Sequence, residues 1–255
     1  IANAEQFKKI TSGTFGNKKY YKLINEIVFG EEDEELGQFL NAAGYNAYYP
    51  KKVSYIKLNG NGMNIKCEST AVVFDNLQNS TVTNLNVETK NKFALMMGGS
   101  TIENINLYGN VSWNDSNNGV LTAFVEYGIK VINCNNYATV NAPGGEAMYN
   151  AVFVGYSRTT NQTITFNNCN NYGSFASGKA SMFIGNVNAL TRLVIENCHN
   201  KGEIRATYMG YTPNCYVSQS ESKIISLTLN GENKTLDTVL SSGFYHGPSD
   251  TMTLT

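Results

Sequence analysis

The sequence predicts an all-β protein wound as a parallel β-helix, and three observations carry that reading. A short phrase recurs. Residues 164–175 read Ile-Thr-Phe-Asn-Asn-Cys-Asn-Asn-Tyr-Gly-Ser-Phe, and residues 193–204 read Leu-Val-Ile-Glu-Asn-Cys-His-Asn-Lys-Gly-Glu-Ile. A third copy stands at 130–140, and weaker ones at 101–111 and 81–87. The asparagine common to all five is Asn84, Asn104, Asn133, Asn168 and Asn197, at steps of 20, 29, 35 and 29 residues. Periods of that size, with short strands and elastic loops, belong to solenoids, whose repeats bury their faces only by stacking. The columns beside the asparagine are also sorted by chemistry. Val82, Ile102, Val131, Phe166 and Ile195 lie two positions before it, and Leu85, Ile105, Cys134, Cys169 and Cys198 one position after.

Apolar columns on both sides of a polar one describe strands that face inward and bend at the asparagine. Asparagine enters the left-handed conformation with less strain than most side chains, so it suits such a bend. Amides repeated about 4.8 Å apart can also bond into a ladder. A second apolar phrase precedes each copy, at 71–74, 94–96, 121–124, 151–153 and 181–183. Aligned by its last residue, it places Phe74, Met96, Phe124, Phe153 and Phe183 in one interior stack, with Gly98, Gly155 and Gly185 two residues on. Each turn of the helix then holds at least two strands, each pairing with its copies above and below.

The elements follow in order. Asn3-Ala-Glu-Gln6 is a capping-box pattern, so a short helix begins there, with Phe7 and Ile10 on one face. That helix is expected to cap the open end of the solenoid against edge-to-edge growth. Lys19–Val28 reads as the first strand. The acidic run Glu31–Glu35 lacks calcium-loop spacing and reads as a solvated loop. Tyr45, Tyr48 and Tyr49 make an aromatic loop before Pro50, either covering an apolar end or serving as a platform. Turns of the helix run from Val53 to about Ile204, with longer linkers at 113–119, 141–149 and 156–161. Beyond residue 205 the repeat fades. Ile224–Leu229 followed by Asn230-Gly231 is a hairpin signal, so 206–255 is expected to be an antiparallel carboxy-terminal cap or the start of a further β module. The chain, opening on Ile1, is expected to be a segment of a longer protein.

The phrase Asn-Cys-x-Asn-x-Gly-x-(Val/Ile), alternating with a small-apolar-Phe-x-Gly strand, resembles the repeats of bacterial cell-surface β-helix proteins, including those with the GLUG motif. Leu58–Ile65 is similar to the Asp-Gly-Asn-Gly-His-x-Ile turn that opens the helix there, with Asn59 and Met63 replacing the aspartate and histidine. The stretches 4–7 and 20–23 are similar to that family's cap. The resemblance spans roughly residues 1–205. It implies a pectin-lyase-like fold, a surface location and no assigned activity. The right hand of the helix rests on it and on the bias of parallel crossovers.

Composition narrows the function. With 19 basic and 20 acidic residues, three of them arginines, the chain lacks the basic face that nucleic acid requires. No apolar run approaches a membrane span. The 36 asparagines cluster at the repeat corners. Of the five cysteines, Cys134, Cys169 and Cys198 share an inward column and read as packed free thiols, since no spacing supports zinc or another metal. No cofactor motif is visible. Parallel β-helices also host glycoside hydrolases, which need two carboxyls about 5–5.5 Å apart when retaining and about 6.5–9.5 Å apart when inverting, and polysaccharide lyases, which would want an acidic calcium cluster with a nearby Arg or Lys base. Asp75 and Glu126, at nearby corners two turns apart, are the best available pair. A non-catalytic module of the cell surface or secreted space is the favoured reading, acting in adhesion, glycan contact or as a spacer. For it, Tyr108, Tyr137 and Tyr172 are the candidate ligand-binding residues. They stand four past the shared asparagine and are followed in the next copy by Lys201. Successive turns would set them about 4.8 Å apart, as a strip for a glycan or a host-surface protein, or as a stack shielding the corner amides.

Overall fold

The computed structural model describes residues 1–30, 52–142, 149–158, 161–187, 190–206, 224–229, 232–234 and 252–253. The protein is all-β: the one described helix is Ala4–Lys8, and most strands join a single large, mainly parallel sheet. Its backbone follows the repeat. Ile56–Asn59 pairs in parallel with Thr81–Glu88, which pairs with Ala94–Tyr108, then Thr122–Ile132, Gln162–Asn167 and Thr191–Glu196. A smaller parallel sheet gathers Asn110–Ser112, Thr139–Ala142, Ser174–Ser177 and Glu203–Ala206.

The corner asparagines take the conformation their chemistry favours. Asn84, Asn104, Asn133, Asn168 and Asn197 all have φ between 52 and 56°, where a β-branched or bulky residue would be strained. Asn104 Nδ2 donates to Asn84 Oδ1 at 2.9 Å, and Asn168 Nδ2 to Asn133 Oδ1 at 2.8 Å. Two residues on, a longer ladder runs Asn170 to Asn135 to Asn106 to Asn86 to Asn64, with bonds of 3.0, 3.0, 2.9 and 3.1 Å. A third ladder lies inside. Asn136 Nδ2 donates to Asn171 Oδ1, and Asn171 Nδ2 to Asn200 Oδ1, both at 2.8 Å.

Within that inner ladder Asn136 and Asn171 are fully buried and close a local loop as well. The amides of Ala138 and Gly173 donate back to Oδ1 of Asn136 and Asn171. A buried amide left without partners costs about 1–3 kcal/mol. Asn171→Leu strands a donor of Asn136 and the acceptor of Asn200, so it should cost about 2–3 kcal/mol, read from the shift in the urea midpoint. A midpoint within a few tenths of a kilocalorie of the parent would show the ladder to be energetically idle.

The thiol column is also inside. Cys134, Cys169 and Cys198 are buried and free, and each sulfur lies within 3.4 Å of the carbonyl two residues back. Burial pushes the Cys169 thiol well above its ordinary value, with hydrogen bonding to Cys134 and Cys198 adding to it. Cys67 is buried as well, and Cys215 lies outside the described residues.

At the amino terminus Asn3 caps the helix by accepting from the Gln6 amide at 2.9 Å. Gln6 Oε1 reaches back one residue further than a capping box requires, to the Ala2 amide at 2.8 Å. Phe7 is fully buried with its ring 5.5 Å from Phe29 and 5.4 Å from Phe74, so the helix stoppers the core at this end. The single strand expected over Lys19–Val28 is two, Lys19–Lys22 and Ile27–Phe29, pairing with successive strands of the next repeat. Ile224–Leu229 continues the large sheet in parallel beside Thr191–Glu196 and pairs antiparallel with Glu232–Lys234, as the Asn-Gly hairpin signal requires. The acidic run and Tyr45, Tyr48 and Tyr49 fall outside the described residues.

The interior stack differs from expectation at two members. Phe74, Phe153 and Phe183 are fully buried, but Met96 and Phe124 are only half-buried. The register explains it. Asn76, Met96, Phe124, Tyr156 and Asn186 form one column, whereas Phe74 stands opposite Ala94 and Thr122, and Phe153 immediately precedes the Val154 that pairs with Thr122. Aligning the phrases by their aromatics displaced Phe124 by two residues from the column of Phe74 and by three from that of Phe153, which are themselves one residue apart. The outer face carries aromatics of its own: Phe124 meets Tyr156 edge-on at 5.9 Å and lies 5.2 Å beneath the Arg158 guanidinium. Gly98, likewise, stands opposite Glu126 rather than in the column of Gly155 and Gly185.

Candidate functional site

The tyrosine column is assembled by backbone bonds between repeats. The Tyr137 amide donates to the Leu107 carbonyl at 2.8 Å, Tyr172 to Asn136 at 2.7 Å, and Lys201 to Asn171 at 2.8 Å. Each ring is therefore set one repeat beyond the last. Tyr108 and Tyr137 lie 5.0 Å apart at 8°, Tyr137 and Tyr172 5.0 Å apart at 7°, and the Lys201 ammonium sits 5.4 Å from the Tyr172 ring. Parallel rings with centroids this close overlap in offset stacks. They turn part of each face to the next ring and present edges and hydroxyls to water. All three rings are exposed, Tyr137 by 41 %. Partial burial holds the Tyr137 hydroxyl above its ordinary pKa, and Tyr108 and Tyr172 raise it further.

Asp75 and Glu126 are not brought together. The residue that shares a column with Glu126 two repeats earlier is Gln78, three positions past Asp75. Three residues along and two repeats across amount to about 14 Å between backbones. Glu126 instead faces Arg158, whose guanidinium nitrogen is 3.7 Å from its carboxylate.

Around Glu126 the surface is indented in a way the repeat phrase did not signal. A hollow of about 330 Å³ is lined by Lys52, Ser54, Tyr55, Asn76, Gln78, Asn79, Glu126 and Tyr127. A second, of about 310 Å³, lies on the other side of Tyr127, against Ser100, Thr101, Lys130 and Thr163. Gly99 lines the second hollow, and Gly98 precedes it. A Cβ on Gly98 would sit 2.4 Å from the Gln78 side chain and 2.2 Å from the Glu126 carbonyl oxygen, and one on Gly99 2.4 Å from Asn79 Oδ1. At Gly98 the obstacle is backbone, so no larger residue fits there. Opposite the single Gly99, the next repeat carries two residues, Tyr127 and Gly128, between Glu126 and Ile129. That extra residue is a bulge, and bulges re-aim the side chains they carry. Tyr127 emerges with φ 60° and 72 % exposed. A sequence count could have found it, since 98–100 spans one residue fewer than 126–129, but only with the register in hand.

No family model and no curated protein matches the sequence. Among solved structures, the chain is similar to a protein of Bacteroides ovatus provisionally described as an immunoglobulin A1 protease. The two share 19 % identity with a TM-score of 0.55, over 92 % of this chain and 78 % of that one. At that identity the similarity concerns the fold. It is a fold of predominantly parallel sheets.

Proposed function

We propose that this chain is a right-handed, single-stranded parallel β-helix from the surface or secreted part of a bacterial protein. Its work is non-catalytic: it holds a glycan or a host-surface protein against its flank and spaces that contact from the rest of the protein. The observation that carries the reading is the Tyr108–Tyr137–Tyr172 stack ending on Lys201. Rings locked to one another lose little freedom on binding, and a phenol at each 5.0 Å step offers one hydrogen bond at a regular interval. The amide ladders beneath make the flank stiff, as an adhesive spacer requires. No described helix is long and apolar enough to cross a membrane.

Glycan-array and cell-adhesion measurements on a Tyr137→Ala, Tyr172→Ala double variant test the strip. Binding is expected to fall at least tenfold, about 1.4 kcal/mol, with the melting temperature kept. Undiminished binding by the folded variant would exclude the strip as the contact surface.

A further inference from the structure

The tyrosine strip also carries a covalent chemistry, which goes beyond its role as a contact surface and needs no ligand. We propose that Tyr108, Tyr137 and Tyr172 are a site of oxidative cross-linking, at which a haem peroxidase with hydrogen peroxide joins neighbouring rings as dityrosine. The first argument is placement. The backbone register sets each ring one repeat beyond the last, with centres 5.0 Å apart and planes within 8° of parallel. Rings repeated by one strand step bring like carbons to about the strand spacing, about 4.8 Å. From there, a rotation about the two side-chain torsions brings together the ring carbons beside the hydroxyls. All three rings are exposed, so an oxidant reaches them and they have room to turn. Exposure alone does not make such a site. Tyr20 is 73 % exposed, but it lies under the Lys57 ammonium at 5.0 Å with no tyrosine ring against it among the described residues.

The second argument is the charge at the two ends of the strip. In the reaction each of two phenols gives up one electron and its hydroxyl proton, leaving two phenoxyl radicals. The radicals pair to form one bond between ring carbons ortho to the oxygens. The hydrogen on each of those carbons then moves to its oxygen and restores the phenol. One hydrogen peroxide accepts the two electrons and two protons and leaves as two waters. Electron loss is least favourable where a cation already draws on the ring, and the Lys201 ammonium sits 5.4 Å from the centre of the Tyr172 ring. At the opposite end the residue in register with Tyr108 is a carboxylate, Glu88, which favours electron loss. Tyr108 and Tyr137 therefore couple first. They stand 29 positions apart, like Asn104 and Asn133 in the same two repeats. A bond between them closes a loop of that length and restricts the unfolded chain as a disulfide of equal span does.

The test treats the chain in dilute solution with a haem peroxidase and hydrogen peroxide and recovers the monomer, which separates bonds within a chain from bonds between chains. The monomer is expected to lose the mass of two hydrogen atoms and to gain dityrosine fluorescence, with peptide fragmentation placing the bond between Tyr108 and Tyr137. Tyr137→Phe keeps the ring and the stack but leaves Tyr108 and Tyr172 two repeats apart, so the fluorescence of its monomer should fall at least tenfold. Tyr172→Phe should retain the signal, and Lys201→Gln should raise the share of the Tyr137–Tyr172 bond. The cross-linked monomer should unfold at higher urea than the untreated one. These readouts use no ligand, so a failure of the strip to bind glycan or protein would leave them unchanged. A monomer left unmodified under conditions that couple free tyrosine overturns the proposal. So does a bond placed at other tyrosines, one that survives Tyr137→Phe, or a urea midpoint that does not move.

Discussion

Truncating Phe153 to alanine is expected to lower stability by about 3–5 kcal/mol, the cost of a large cavity in a core that cannot fully collapse. Phe153 is fully buried, with the Phe166 ring 5.6 Å away and the Phe183 ring 6.3 Å away and nearly parallel. Phe166 and Phe183 touch in turn at 4.9 Å, so the three rings form one cluster spanning neighbouring repeats. Hydrogen bonds between backbones hold the surrounding strands at fixed spacing, so they cannot close over the gap. Guanidinium unfolding followed by circular dichroism reads the loss. Phe124→Ala is the internal control: half-exposed on the outer face, it should cost less than half as much. Equal losses would mean that the register separating the two residues is wrong.

The second large effect is a dependence of stability on pH that arises at Lys92. This side chain is fully buried, donating to Asn91 Oδ1 at 2.6 Å with its ammonium 5.5 Å from the Trp113 ring. Trp113 Nε1 donates to the same oxygen at 3.2 Å, so the linker expected at 113–119 begins inside the protein. Burial lowers the Lys92 pKa from 10.5 to about 7, against an opposing pull from Asp115. The unfolded chain therefore holds a proton between pH 7 and 10.5 that the folded one has released. Lys92's contribution to stability is expected to rise with pH across that window, by at most about 1.4 kcal/mol per unit and roughly 5 kcal/mol in all. Below pH 7 the lysine is charged in both states and the burial penalty is constant. Lys92→Met removes the titration, so the difference in stability between parent and variant should change between pH 7 and 9.5 in the parent's favour. A difference that stays flat over that range would show Lys92 to be charged when folded.

Much of this molecule could be read from residue order because its dominant interaction is a copy of itself. Each repeat bonds to the next in parallel, so a conserved offset within the phrase becomes a column in space. Asn84, Asn104, Asn133, Asn168 and Asn197 were placed correctly at left-handed corners because few other side chains enter that conformation cheaply. The thiol column and the tyrosine spacing follow from the same offsets, and both lie within the stretch where the copies are nearly identical.

What residue order alone determined is therefore the parallel all-β architecture, its corner asparagines, the capped first helix and the row of three tyrosines. Tertiary structure decided the rest wherever the repeat is elastic. In the stretches 71–74, 94–98 and 121–126 both faces carry apolar residues, and composition cannot say which face is inward. Only backbone pairing put Phe124 outside and Phe153 inside. The inner ladder of Asn136, Asn171 and Asn200 was equally hidden, since a polar residue reads as exposed until its partners in other repeats are located. The hollow beside Glu126 depends most on the third dimension. Tyr55, Gln78 and Tyr127 belong to separate repeats, and it takes one extra residue at the bulge beside two glycines to bring them to one hollow.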